Sequence, residues 1–132
     1  MTIHSLAGDA VEDAGEGSIR FVTGQCQACG NRAFPMPPIC SNCQSTDIVR
    51  KPVEAAGTVY SLTEVHVGPA EWHRPVRLAY VDLPDGLRVF GHWRGSVGIG
   101  TRVRARMGEV GKDAAGTHFT TYVFEPAEAS DA

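Results

Sequence analysis

The sequence predicts a mostly β fold in which a cysteine-bearing ribbon is followed by a small barrel. Val and Ile together occur 19 times against 5 Leu, a bias typical of strands rather than of helical bundles. The 15 Gly and 8 Pro indicate many tight turns. With 132 residues and 14.1 kDa, the chain fits one domain or a small domain with an appendage, which excludes a multidomain enzyme.

Residues 1–17 form an acidic first segment that contains no Lys or Arg. The segment offers Ile3, Leu6 and Val11 for burial, which is too little to hold a stable element alone. We therefore expect a mobile arm. A helix formed against a partner is the alternative, because Ile3, Leu6 and Ala10 share one face at helical spacing.

The same segment lacks the basic region and the continuous apolar run of a secretory signal. Elsewhere the apolar stretches are far shorter than the roughly 20 residues that cross a bilayer. We expect a cytoplasmic protein that has no membrane partner.

All four cysteines fall in two Cys-x2-Cys knuckles within residues 18–51, at positions Cys26, Cys29, Cys40 and Cys43. Two such turns facing each other complete a tetrahedral zinc site with sulfur about 2.3 Å from the ion. Four sulfur ligands leave no position for water or substrate, so the predicted zinc is structural and supplies folding free energy. A reducing cytosol disfavours disulfides, whereas redox or iron–sulfur chemistry is the remaining alternative.

The second module, residues 52–126, is predicted to contain five strands, at 57–67, 76–83, 87–93, 101–107 and 117–124. Pro84, Asp85 and Gly86 predict a tight turn between the second and third strands. Five short strands of this length fit a small barrel, which removes exposed sheet edges. The tail, residues 127–132, is expected to be disordered.

Several short motifs follow one another along residues 18–126 of this chain. They are Cys26-Gln-Ala-Cys29-Gly30, Phe34-Pro-Met-Pro-Pro38, Cys40-Ser-Asn-Cys43, Gly57-Thr-Val-Tyr-Ser61, Asp82-Leu-Pro-Asp-Gly86, Gly98-Ile-Gly100 with Val103, and Phe124-Glu-Pro126. In this order they resemble the family once filed as domain of unknown function thirty-five. The resemblance implies a rubredoxin-like zinc ribbon followed by a five-stranded OB-fold barrel.

The resemblance also implies a function. Members of that family are accessory subunits of acyl-CoA enzymes, and they complete, bridge or stabilise the CoA-ester site of a partner that carries the catalytic residues. For this chain it implies a non-catalytic, zinc-binding subunit that partners a thiolase or thiolase-like aldolase in the degradation of an aromatic, steroid or fatty acyl-CoA. A hetero-oligomer with one zinc ion is expected, with the CoA thioester contacted in the complex.

The alternative is an OB-fold protein that binds single-stranded nucleic acid. A net charge of -3 and a pI of about 5.9 oppose it, because such proteins neutralise phosphates with a strongly basic surface. Aromatic residues make up only 8% of the chain, which is little material for stacking bases.

One strand of the predicted barrel carries a repeated arginine. Arg102, Arg104 and Arg106 alternate with Val103, Ala105 and Met107. In a strand this alternation places the three guanidinium groups on one face and the apolar side chains on the other. The arginines are candidates for binding CoA phosphates or an acidic patch of the partner, and a solvated outer face of the barrel is the alternative.

No catalytic residue is predicted, because the histidines occur singly and neither a nucleophile elbow nor a phosphate-binding glycine motif is present. The one arrangement to consider is an acid and base pair formed by His66, Glu71 and His73, with ordinary surface residues as the alternative. Trp72, in the polar loop 67–75, is a candidate interface anchor. Trp93 with Arg94 is a second candidate, and core burial is the alternative for Trp93.

Overall fold

The computed structural model describes residues 2–127 and consists of two β-sheets and a short 3-10 turn at Gly8–Ala10. The strands are β1 Thr2–Ser5, β2 Val11–Gly15, β3 Ser18–Cys26, β4 Arg32–Ala33, β5 Ile48–Glu54, β6 Ala56–Val65, β7 Val76–Asp82, β8 Arg88–Trp93, β9 Arg102–Lys112 and β10 Thr117–Pro126. Within the described range, no helix is long and apolar enough to span a membrane. Of the tail predicted to be disordered, 127–132, only Ala127 is described, and its amide donates to the Arg102 carbonyl at 2.9 Å. The rest of that prediction lies outside the described residues.

The ribbon is built around β3, which pairs antiparallel with β2, β4 and β5. The predicted module boundary at residues 51–52 falls inside β5, whose pairing with β3 continues from Ile48 to Glu54. In the structure Pro52 lies on a strand that pairs on one side only, where a missing amide hydrogen costs little.

The barrel closes with five strands in the order β10, β8, β7, β6, β9 and back to β10, so the predicted mostly β fold is confirmed. The hairpin of β7 and β8 is also confirmed, with Leu83 donating to Leu87 at 2.8 Å and Gly86 at a φ of 79°. Strand β9 continues to Lys112, beyond its predicted end at residue 107. Gly111 lies in this added stretch, where a Cβ would lie 2.3 Å from the Glu71 carbonyl oxygen, so the glycine permits close packing inside the strand.

The first segment differs from the expected mobile arm, and it also differs from the alternative helix. Strand β1 pairs parallel with the first residues of β10, and the Leu6 amide donates to the Thr120 carbonyl at 2.7 Å. β8 reaches only the far end of β10, so the backbone near Thr117 is left for β1 to pair with. Ile3 stays 62% exposed. Backbone pairing rather than apolar burial therefore orders β1.

An aromatic cluster joins the ribbon to the barrel. Phe21 of β3 is fully buried, and its ring lies 5.0 Å from Phe34, 5.0 Å from Tyr122 and 5.9 Å from Phe124. Phe21 and Ile19 belong to the same hydrophobic core as the buried residues of the barrel strands. The ribbon is therefore packed on the barrel through a shared core.

Candidate functional site

The four cysteines converge at one end of the ribbon, where their sulfur atoms all lie within 4.8 Å of one another. The Sγ atoms of Cys26 and Cys43 are 3.5 Å apart, and those of Cys29 and Cys40 are 3.6 Å apart. A tetrahedron with metal–sulfur bonds of about 2.3 Å has edges of about 3.8 Å. The donor set and its spacing therefore fit one metal ion with four thiolate ligands.

The two knuckles have the same backbone geometry. The Gly30 amide donates to the Cys26 carbonyl at 2.8 Å, and the Gln44 amide donates to the Cys40 carbonyl at 2.9 Å. In each knuckle the amide of the first cysteine also donates to the carbonyl five residues later, at 2.9 Å. Gly30 and Gln44, the fourth residues after those cysteines, have positive φ values of 80° and 61°. The fold thus presents each sulfur pair on an equivalent turn.

Asn42 is a further residue of the cluster, and sequence reasoning missed it. Its side-chain amide donates to the Cys29 sulfur at 3.5 Å and its backbone amide donates to the Cys40 sulfur at 3.4 Å. The Asn42 side-chain amide, together with the Asn31 backbone amide and the neighbouring thiols, lowers the pKa of Cys29 to about 6. Amide hydrogen bonds of this kind stabilise a thiolate in the absence of any positive side chain.

The pKa of Cys43 shifts in the opposite direction to that of Cys29. The Ser45 backbone amide lowers the pKa of Cys43, but hydrogen bonds with Cys26 and Cys29 raise that pKa more, and the net result is a value of about 12. The cluster therefore favours charge on one sulfur at the expense of another until a cation offsets the repulsion. Cys26 and Cys40 are buried, whereas Cys29 and Cys43 are exposed, so one side of the cluster faces the solvent.

The arginine stripe of β9 has the predicted alternation over residues 102–106. Val103 and Ala105 are each 1% exposed, while the arginines lie on the outer face. Met107 is an exception, since it is 39% exposed rather than buried.

Carboxylates accompany two of these arginines. Arg104 lies 2.7 Å from Glu54 and Arg106 lies 3.9 Å from Glu125. The three guanidinium groups therefore do not form an uncompensated charge of +3, and the capacity of the stripe to attract phosphate is smaller than the sequence indicates.

His66, Glu71 and His73 do not converge, so the acid and base pair considered for them is not formed. His66 lies 3.5 Å from Glu64, and Glu71 uses its backbone carbonyl to accept from the Lys112 amide at 2.8 Å. His73 contacts Glu109 instead, at 2.6 Å, and the other oxygen of Glu109 contacts His118.

The cluster of Glu109 with two histidines was missed because its members come from three separate parts of the chain. Hydrogen bonds between the carboxylate and the two histidines lower the pKa of Glu109, and His73 has a larger effect than His118. The carboxylate ties the loop after β6 to β9 and β10. The local sequence carries no spacing signal for this contact, because 36 residues separate Glu109 from His73.

The two tryptophans occupy different environments. Trp93 is 8% exposed, and its indole nitrogen donates to the Leu78 carbonyl at 3.1 Å. Trp93 is therefore a core residue rather than an interface anchor. Trp72 lies at the surface and is half-buried, with its ring stacked on His92 at a centroid distance of 5.7 Å.

Comparison with known proteins places these features in a family. A family model described as the C-terminal OB-fold domain of ChsH2 matches residues 51–108. The benzoylsuccinyl-CoA thiolase subunit BbsA of Geobacter metallireducens is 34% identical over 90 residues, which cover 67% of this chain and 61% of that protein. The match therefore spans less than two thirds of that relative.

Two further relatives extend the match. BbsA of Thauera aromatica is 28% identical over 120 residues, which cover 88% of this chain and 83% of that protein. The solved structure of the Ltp2-ChsH2(DUF35) aldolase contains a chain that superposes with a TM-score of 0.65 and 30% identity, covering 83% of this chain and 86% of that one. The chain belongs to the DUF35 family, in agreement with the resemblance of its ribbon and barrel motifs.

Proposed function

We propose that this chain is a zinc-binding accessory subunit of an acyl-CoA-processing complex, and that it partners a thiolase or thiolase-like aldolase. The similarity to two BbsA thiolase subunits and to the Ltp2-ChsH2(DUF35) aldolase carries this proposal. The substrate class proposed is an aromatic, steroid or fatty acyl-CoA, and the chain helps form the CoA-ester site on its partner.

The positions of the four cysteines support the assignment of the catalytic residues to the partner subunit. The chain has four cysteines, and all of them lie in the metal cluster. A thiolate bound to a structural metal is not free to attack a thioester carbonyl. Any cysteine nucleophile in the complex must therefore come from the catalytic partner.

The ion proposed for the cluster is zinc, held by Cys26, Cys29, Cys40 and Cys43. Four thiolates in a tetrahedron are the usual donor set of structural zinc. When bound, zinc closes the two knuckles and supplies folding free energy to a ribbon end that has few buried apolar residues. Asn42 is not a ligand, but it stabilises the zinc-bound thiolates by donating hydrogen bonds to the sulfurs of Cys29 and Cys40.

Metal analysis tests the zinc proposal directly. Protein produced in minimal medium and purified without chelator should contain one zinc per chain by inductively coupled plasma mass spectrometry. Iron with visible charge-transfer absorbance, or a folded chain with four free thiols and no metal, contradicts the proposal. Cys40→Ser should lower the zinc content and loosen the ribbon while the barrel keeps most of its strand signal in circular dichroism.

Co-expression tests the accessory role. The tagged chain should copurify stoichiometrically with a thiolase-type catalytic subunit of the organism that encodes it, and acyl-CoA turnover should require both chains. Turnover by the isolated, partner-free chain would show that it is an enzyme in its own right. Failure of every thiolase-type subunit to bind would refute the accessory role.

The arginine stripe is proposed as the part of the barrel that contacts CoA phosphates or an acidic partner surface. Replacing Arg102, Arg104 and Arg106 together by Gln should leave the barrel folded, because all three lie on the outer face. Complex formation should become slower and less sensitive to salt, as expected when charges at an interface rim are removed. Unchanged association rates, salt dependence and CoA affinity would identify the stripe as a solvated face.

A further inference from the structure

The outer face of the β7–β8 hairpin is unusually apolar. Ala79, Val81 and Val89 point inward and are almost fully buried. The alternation of a strand then turns Tyr80 and Phe90 outward, and these two rings are 45% and 48% exposed. The outward face of a barrel strand ordinarily carries polar side chains.

The exposed rings belong to one continuous surface. Tyr80 and Phe90 are directly paired across the two strands, with ring centroids 5.0 Å apart. Beside them an open groove of about 330 Å³ runs to the loop after β6. We call the whole surface the aromatic face; its members are Val65, Val67, Trp72, Val76, Leu78, Tyr80, Phe90 and His92.

The structure holds Trp72 in place at the edge of this face. The residues on either side of Trp72 are hydrogen-bonded to β9, with His73 donating to Val110 at 3.0 Å and Lys112 donating to Glu71 at 2.8 Å. The indole ring also stacks on His92 with an interplanar angle of 20°. Because the ring is already ordered, a partner would not have to immobilise it, and such rigid aromatic groups make strong interface anchors.

The charges around the aromatic face cancel within the chain. Arg88 contacts Asp82 at 2.6 Å, and Arg77 contacts Glu64 at 3.4 Å. Burial, with a smaller effect of Arg94, lowers the pKa of His92, so this side chain is uncharged at neutral pH. A surface of paired rim charges around an uncharged centre fits an apolar protein surface and does not fit a polyanion.

We propose that the aromatic face is the docking surface for the thiolase-type catalytic subunit, which it contacts through an apolar, uncharged patch on that subunit. This inference rests on the accessory role proposed above. The relatives that support that role are two proteins named as thiolase subunits and a chain of the Ltp2-ChsH2(DUF35) aldolase. The inference goes further by assigning the interface to particular residues. The arginine stripe on β9 then lies outside the centre of the interface.

A charge-neutral double variant tests the assignment. Tyr80→Lys with Phe90→Glu removes both rings and places opposite charges at directly paired positions, which can form a cross-strand ion pair. The matched control is Val49→Lys with Ile99→Glu, which changes two exposed apolar residues outside the face, at 40% and 76% exposure. Thermal melting and zinc content establish that both variants are folded.

Binding of each variant to the purified thiolase-type subunit is measured by biolayer interferometry. The face variant should bind at least about 30-fold more weakly than the wild-type chain, as for the loss of an interface hot spot, and the control should bind within about twofold. If the face variant does not fold, the single variant Phe90→Thr, which suits a strand, gives the same comparison.

The outcomes separate the two proposals. No binding by the wild-type chain refutes the accessory role and the docking surface together. Wild-type binding that the face variant retains refutes the docking surface alone. The docking surface is also refuted if the wild-type chain forms a dimer that the face variant abolishes in analytical ultracentrifugation, or if the wild-type chain binds a single-stranded oligonucleotide through these rings.

Discussion

Asn42→Ala should weaken zinc binding in a pH-dependent way. The variant loses the 3.5 Å hydrogen bond from the side-chain amide to the Cys29 sulfur and keeps the backbone amide that donates to Cys40. The lost bond is the largest of the effects that lower the pKa of Cys29 to about 6. The pKa of Cys29 should therefore rise towards its ordinary value of 9.0.

The size of the effect follows from the competition between zinc and the proton. With a pKa of about 6 the Cys29 thiol is mostly ionised at pH 7, so zinc has almost no proton to displace there. Each pKa unit above the working pH costs about 1.4 kcal/mol, or about tenfold in affinity. Complete loss of the shift corresponds to about 100-fold at pH 7. Because Asn42 supplies the largest share but not the whole shift, we expect about tenfold.

A competition titration against a chromophoric zinc chelator measures this difference. The gap between wild-type and variant affinity should be larger at pH 7 than at pH 9, where the thiol ionises in both proteins. Asn31→Ala is the matched control, because Asn31 lowers the pKa of Cys29 through its backbone amide, which alanine keeps. Equal affinities at pH 7, or a gap that does not change with pH, would show that Asn42 does not act through the Cys29 thiolate.

Three further predictions concern stability. Gly30→Ala should cost about 1–2 kcal/mol of unfolding free energy by urea titration of the zinc-loaded protein, because φ is 80° while a new Cβ meets no atom within 4 Å; no loss would contradict the backbone argument. Phe21→Ala should cost about 3–5 kcal/mol in the same assay, because the ring is fully buried; a loss below about 1 kcal/mol would contradict its place in the shared core. Glu109→Gln should lower the melting temperature at pH 7 and have no effect in acid. A carboxylate whose pKa is lowered in the folded state stabilises the fold above its unfolded pKa, and this contribution is lost as the pH falls through the folded pKa. A difference in melting temperature that persists at pH 2 would contradict the ionic explanation.

The features predicted from the sequence are those that local spacing determines. The metal cluster follows from two Cys-x2-Cys turns, each of which fixes its own sulfur geometry. The β7–β8 hairpin follows from strand alternation on either side of Pro84 and Gly86. Both signals are contained within a few residues, so no knowledge of the rest of the fold is needed to read them.

The features that were missed depend on residues distant in the chain. β1 is ordered by backbone groups of β10 more than 100 residues later, and its own side chains remain exposed. Glu109 meets His73 across 36 residues. Gly111 lies inside a strand because the loop carrying Glu71 packs against it, and local sequence rules interpret the same glycine as a turn. In each case tertiary contact overrides the local preference.

The position of β3 explains how the proposed structural zinc and the proposed docking surface on the barrel can act separately. The strand begins in the shared core, with Ile19 and Phe21, and ends at Cys26 in the metal cluster. The aromatic cluster around Phe21 packs this strand on the barrel without help from the ion. The proposed zinc would then fix the free end of the ribbon, where few apolar residues are available to order it. Loss of the ion should therefore disorder the knuckles first and leave the aromatic face intact, so zinc removal and the Tyr80 and Phe90 substitutions affect separable parts of the protein.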